Sequence, residues 1–298
     1  MGIFRKCKKK TDCLQLLEQF EYERLSDGTF KIKKLKNRKT VGAVIIPDCV
    51  TAIDAYAFSD CGAITSVGIP EGVTEIGERA FMDCTALVSA VIPSALRVLG
   101  DHAFDGCSSL ADVRIPSGVT NIGRFAFYAC RSLADVSIAD GVTGIGDGAF
   151  SACSSLTAVN IPESVTVIGE DAFCACKALA SVNIPSGVTE IGDDAFWGCS
   201  SLADVSIPSG MEYMGDNAFR GCSSLCRVTV AEGVTRIGAG AFKGCGDLRS
   251  VILPSTLEAI GDAAFEDCVL LEKPDIPKGA WVAENAFNNT KWKNDLNK

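Results

Sequence analysis

The chain has 298 residues, of which 47% are apolar and 7% aromatic, with a mean hydropathy of +0.23; this is ample material for a core and excludes disorder over most of the length. Residues 1–40 hold 12 Lys/Arg against 5 Asp/Glu and the remainder holds 16 against 32, so a basic head precedes a body at −16, a sign that repels polyanions and excludes nucleic acid as the main partner. No apolar run approaches the ~18 residues of a membrane helix, and the N-terminus lacks the apolar core of a secretory signal, so a cytoplasmic protein is expected.

Residues 1–12 read as a basic head without structure of its own. Gly2, Cys7 and the run Arg5-Lys6-Cys7-Lys8-Lys9-Lys10 are the ingredients of a two-signal lipid anchor, but Lys6 stands where the acylation motif prefers Ser or Thr. Membrane contact is therefore expected only through residues 1–10. Residues 13–44 read as an N-terminal cap. Cys13, Leu14, Leu16, Leu17, Phe20 and Leu25 suit a short amphipathic helix with Asp12 as its cap, and Ser26-Asp27-Gly28-Thr29 before alternating Phe30 and Ile32 reads as a hairpin turn and strand.

From residue 45 the chain is periodic. Phe recurs at 58, 81, 104, 127, 150, 173, 196, 219, 242 and 265, always 23 apart, and then at 287. Cys follows three residues after each Phe from Phe58 to Phe265, and Pro47, Pro70, Pro93 and Pro116 hold the same phase. The unit reads IPxGVTxIGxxAFxxCxSLxxVx, and a fixed period of 20–30 residues with aliphatics at set offsets is the signature of a leucine-rich-repeat solenoid. In the unit from Leu110 to Cys130, Val113 and Ile115 alternate on one face of a short strand, the only strand expected in each unit. Pro116 limits that strand, Ser117-Gly118 turns the chain, and Val119 and Ile122 begin a second apolar segment. Gly123 frees the backbone, and Ala126-Phe127 begins a short helical turn whose ring fills the coil. The acid after the repeat glycine (Glu78, Asp101, Asp147, Glu170, Asp193, Asp216, Asp262) is placed to cap that turn, in preference to binding a cation.

The motifs IPSGVTNIGRFAFYAC (115–130) and IPSGVTEIGDDAFWGC (184–199) closely resemble the BspA-type leucine-rich repeats of bacterial, spirochaetal and protist surface antigens, in their Treponema pallidum-like 23-residue class. The resemblance spans about residues 45–290, some eleven units. It implies an α/β repeat architecture, a right-handed solenoid with short parallel strands on the concave side and short helical turns, and a role in binding proteins or host surfaces. Beyond 270 the pattern decays: Pro274 replaces the inward Val, Trp281-Val282 the Ile column, and Thr290 stands where Cys is due, which suits a C-terminal cap followed by a polar tail at 291–298.

Fifteen cysteines raise the question of disulfides. Equivalent positions in stacked coils lie about 4.8 Å apart with parallel side-chain vectors, the wrong arrangement for a disulfide, so free thiols are expected throughout, and as metal-ligand pairs Cys174-x-Cys176 and Cys7-x5-Cys13 are too loose to count. One Cys per unit in a line does not converge on a metal. The single histidine, His102, falls in a variable position and is expected on the outer surface, and no nucleophile–His–acid grouping, phosphate loop or dinucleotide fingerprint is present. Neither catalysis nor a metal nor a cofactor is expected. What remains is surface: the strand columns flanking the inward Val carry Asp112, Arg114, Asp135, Asn160, Asn183 and Asp204 in the central units, the expected partner-binding residues. Phe125, Tyr128, Trp197 and Tyr213 fall in variable columns on the turn side and read as scattered packing. The functional expectation is a monomeric, non-enzymatic protein-interaction scaffold, with a cell-surface adhesin exported by a route not visible in the sequence, or a membrane-tethered scaffold, as alternatives.

Overall fold

The computed structural model describes residues 10–211 and 213–296. The N-terminal helix α1 runs from Lys10 to Leu17 and is followed at once by strand β1, Phe20–Arg24. The helix expected over 13–25 is thus shorter and starts earlier, so residue 12 lies within it. The reason is local: Phe-Glu-Tyr-Glu-Arg alternates with period two, and the chain follows that period with only Phe20 buried. β1 pairs antiparallel with β2, Phe30–Leu35. Their turn is closed by the Asp27 carboxylate, which accepts from the Thr29 N–H at 2.9 Å, and by Gly28 at φ +86°.

β2 then pairs in parallel with Val50–Ile53, so the hairpin is the first element of a 13-stranded sheet that runs the length of the molecule to Trp281–Val282. Each coil adds one two-residue strand to it, such as Asn121–Ile122 beside Gly144–Ile145. A second face carries longer strands, such as Asp112–Ile115 in register with Asp135–Ile138. It is built of seven strands from Gly42–Ile45 to Ser181–Asn183, and then three from Asp204–Ile207 to Ser250–Ile252. Each unit before the last therefore makes two strands, not the single one expected. Val119 and Ile122 stand three apart, which hides the second strand from any period-two reading. The glycine after it is required by proximity: a Cβ on Gly123 would lie 2.7 Å from the backbone of Gly100 in the coil before.

The Ala-Phe segment is not helical. Its N–H groups alternate between bonds within the coil and bonds to the next coil. Ala126 donates to Gly123 O and Tyr128 to Phe125 O, while Phe125, Phe127 and Ala129 donate to Asp147, Ala149 and Ser151 O at 2.8 Å. Phe125 and Ala129 are left-handed, at φ 53° and 54°. Coil-to-coil bonding wins over i to i−4 bonding because every second donor faces the neighbouring coil, which offers a carbonyl. Four of the acids after the glycine serve the next coil rather than their own turn: the Oδ1 of Asp101, Asp147, Asp193 and Asp216 accepts from the N–H of Arg124, Glu170, Asp216 and Ala239, one coil on, at 2.7–3.1 Å. They staple consecutive coils.

The core is a stack of rings. From Phe58 to Phe287, successive phenylalanines lie parallel within 2–12°, centroids 4.8–5.5 Å apart. Phe20 closes one end edge-on at 5.9 Å and Trp292 the other at 5.1 Å. Beside the stack, each repeat-locked thiol from Cys84 to Cys268, every 23 residues, donates to the Phe carbonyl of the coil before it, Sγ–O 3.1–3.3 Å. Burial pushes the thiols of Cys107, Cys130, Cys153, Cys176, Cys199 and Cys222 up, to about 12 for Cys176 and Cys222. The ladder cysteines are unpaired, as the spacing argued. The expectation that every thiol is free fails elsewhere: Cys13 in α1 and Cys49 in the first coil form a disulfide across 36 residues. The parallel-vector argument does not reach this pair, because Cys13 sits in a helix that crosses the coil end. Cys7 lies outside the described residues.

At the other end, Thr290 Oγ1 donates to Phe287 O at 2.9 Å and accepts from the Lys293 N–H at 3.2 Å, capping a last helix, α2, Lys291–Leu296. The stretch expected as a polar tail thus supplies Trp292, the closing ring.

Candidate interaction surface

On the second face the inward residues are invariant in kind and the outward ones vary. Val113 and Ile115 are buried while Asp112 and Arg114 are exposed, and the same alternation holds along Asp135–Ile138 and Asp204–Ile207. The parallel register lines the exposed residues up in two columns. Asp112 is opposite Asp135, and Arg114 opposite Ser137, which is followed by Asn160 and Asn183. Five of the six expected partner-binding residues therefore share one seven-stranded sheet. Asp204 does not: it stands beyond a split in that face, opposite Arg227 in the three-stranded sheet. The split falls in the coil where Met211 and Met214 replace the usual Val and Ile. Val182 beside it is only half-buried, and the bond from Ala203 N–H to Ala180 O is stretched to 3.4 Å.

His102 is half-buried rather than outside. Its Nδ1 is 2.9 Å from Asp105 Oδ2 and its ring stacks on Phe125 at 5.1 Å. Tyr213 is not on the turn side either: it lies on the long sheet in Tyr213–Met214, with the Arg236 guanidinium over its ring and its hydroxyl donating to Asp216 Oδ1 at 2.8 Å. Burial, and then the Asp216 hydrogen bond, push its phenol up to about 12.

One grouping escaped the sequence reading. Tyr56, Arg79, His102 and Phe125 occupy one column, 23 residues apart, and meet in pairs: Arg79 Nη1 donates to the Tyr56 hydroxyl at 2.7 Å, His102 stacks on Phe125, and Tyr128 meets Phe125 edge-on at 5.8 Å. The register that located the Phe column locates this one too. The row is self-satisfied, since Arg79 also pairs with Glu78 and His102 with Asp105. Next to it, desolvation and then the charges of Asp105 and Asp60 hold the Asp83 carboxyl above its usual range. Among the described residues, no three His, Cys, Asp or Glu side chains converge to hold a metal ion, and no helix is long and apolar enough to cross a membrane.

No curated protein matches the chain. Among solved structures, a leucine-rich repeat protein from Bacteroides ovatus ATCC 8483 is 24% identical with a TM-score of 0.67, covering 91% of each chain. A leucine rich cell surface protein from Faecalibacterium prausnitzii A2-165 is 26% identical with a TM-score of 0.54, over 91% of this chain and 96% of the other. The T. pallidum leucine rich repeat protein is 28% identical with a TM-score of 0.56, over 70% and 88%. The model of the BspA type leucine rich repeat region matches residues 23–157 and 143–272. With the two-strand coils, the Phe stack and the Cys ladder in place across those same residues, the chain belongs to the BspA-type leucine-rich repeat family.

Proposed function

We infer that the protein is a non-enzymatic scaffold that binds another protein through the outward columns of its second face. The observation that carries this is the alternation itself. The inward columns are set by packing and are nearly the same in every coil, whereas the outward columns that carry Asp112, Arg114, Asp135, Asn160 and Asn183 change composition along the molecule, and these five residues are exposed and stand in rows at strand spacing. A surface of that kind meets a basic or polar strip of a partner through several hydrogen bonds, each about 0.5–1.5 kcal/mol. Affinity capture on immobilised protein from the native source, read by mass spectrometry, is expected to return one protein partner in stoichiometric amount. Recovery of no protein above a blank column would contradict the reading.

A cell-surface adhesin is the second reading, favoured by the Cys13–Cys49 disulfide, since structural disulfides belong to oxidising compartments, and by the likeness to the F. prausnitzii cell surface protein. Protease treatment of intact cells is expected to remove the protein under this reading and to spare it if it is cytoplasmic. The membrane-tethered reading rests on residues 1–10, nearly all outside the described residues, and intact-mass measurement for an acyl group decides it.

A further inference from the structure

The second face does not finish cleanly. Its last strand, Ser250–Ile252, pairs on one side with Arg227–Val230. On the other side the next coil runs past without becoming a strand. The Glu272 N–H donates to Arg249 O at 3.1 Å, which sets the register. In a parallel ladder the next donor stands two residues on, and that residue is Pro274, which has no N–H to give to Val251 O. The strand edge is left open here, and between it and residues 272–275 lies a groove of about 310 Å³ lined by Val251, Ile252, Leu253 and Pro274. Ile252 is 57% exposed, in a column otherwise filled mainly by small or polar residues.

The rim carries a charge opposite to that of the body. Arg249 and Lys273, both in the lining of the groove, are exposed, and neither forms an ion pair among the described residues; Arg227 stands one strand away, opposite Ser250. Glu272 is already taken by Lys291 at 2.9 Å, leaving Asp275 as the acid at the groove. In a body at −16, two unpaired cations in the lining of one apolar groove, with Arg227 one strand away and one unpaired acid against them, select for negative charge.

We propose that this groove binds an extended acidic segment of a partner protein as an added strand. A backbone N–H of the segment donates to Val251 O, an apolar side chain covers Ile252 and Leu253, and flanking carboxylates meet Arg249 and Lys273. The proposal rests on the protein-binding reading but uses a different part of the surface from the Asp112–Asn183 columns, so the two fail separately.

The probe is a short fluorescein-labelled peptide alternating valine and glutamate, followed by polarisation against the full chain. Saturable binding is expected. It should weaken about tenfold or more when lysine replaces glutamate, when the peptide backbone is N-methylated, or in Arg249→Glu/Lys273→Glu protein. Ile252→Asp, an exposed change that leaves the core alone, should weaken it similarly with an unchanged melting temperature. Equal binding of the lysine peptide, indifference to N-methylation, or unchanged binding by both protein variants overturns the proposal, as does absence of binding to the valine–glutamate peptide. Loss of captured native partner in an Asp112→Lys/Asp135→Lys protein that still binds the peptide would leave the groove standing and assign the partner to the columns.

Discussion

The middle of the molecule and its two ends are built on different principles. Between Phe58 and Phe265 each coil repeats the same solution: a ring on the stack, a thiol on the previous Phe carbonyl, an acid or hydroxyl reaching one coil away. At the ends nothing repeats. Phe20 and Trp292 turn edge-on to stop the stack, a disulfide ties α1 to the first coil, and Thr290 takes the cysteine's place to start a helix. A repeat can propagate a ladder but cannot end one, because its last ring would face water. Stability in the middle should accordingly be shared and steep, and at the ends local and separable.

The largest effect expected is on the thiol ladder as a whole. Burial raises the folded thiols from Cys107 to Cys222 in the ladder above their unfolded value of 9.0, to about 12 at Cys176 and Cys222. The protonated thiol is the form the fold holds, so the stability it supplies is full below pH 9 and is lost as pH rises through the folded value. Each buried thiol withdraws up to about 1.4 kcal/mol per pH unit in that window. Thermal melts are expected to collapse between pH 9 and about 12, with a shallower slope in a Cys153→Ala/Cys176→Ala/Cys199→Ala protein. Equal slopes would show that the thiols play no part.

Next comes the stack. Phe150→Ala removes a wholly buried ring between two others and should cost about 3–5 kcal/mol in denaturant unfolding. Reduction of Cys13–Cys49, or Cys49→Ser, should cost about 2–4 kcal/mol, and hydrogen exchange should show the loss confined to α1 and its neighbours. Trp292→Ala, at a half-buried ring that touches the stack on one side only, should cost about 1–2 kcal/mol and speed exchange in the last coil alone. If Phe150→Ala and Trp292→Ala unfold the chain equally, the distinction between middle and ends is wrong.

The same distinction governs what was legible in the sequence. The middle could be read nearly residue by residue, because a column seen ten times averages away its exceptions: the buried Phe, Ala and Cys, the strand at Val113 and Ile115, and the unpaired ladder all follow from spacing. What spacing hid was the partner of each polar group. Asp101 has the composition of a helix cap, and only the coil stacking shows that it serves Arg124 instead. The two-residue strands escaped because Val119 and Ile122 are three apart. At the ends each device occurs once: nothing in Cys13 and Cys49, or in the placement of Trp292, announces that they meet their partners. The outward columns were located on the correct strands, yet the split that separates Asp204 from the other five leaves no mark in the 23-residue spacing and shows only once the coils are stacked.

The claim that joins these regions is that packing fixes the inward columns so that the outward ones are free to bind. Its most direct test is a protein with Asp112→Lys, Asp135→Lys and Asp204→Lys, assayed in parallel for melting temperature and for capture of the native partner. An unchanged melting temperature with capture about tenfold weaker or worse is expected, most of it from Asp112 and Asp135, which stand side by side. Capture unchanged in the triple variant, but abolished by substitution of Tyr128 or Trp197, would contradict the account and move the binding surface to the turn side.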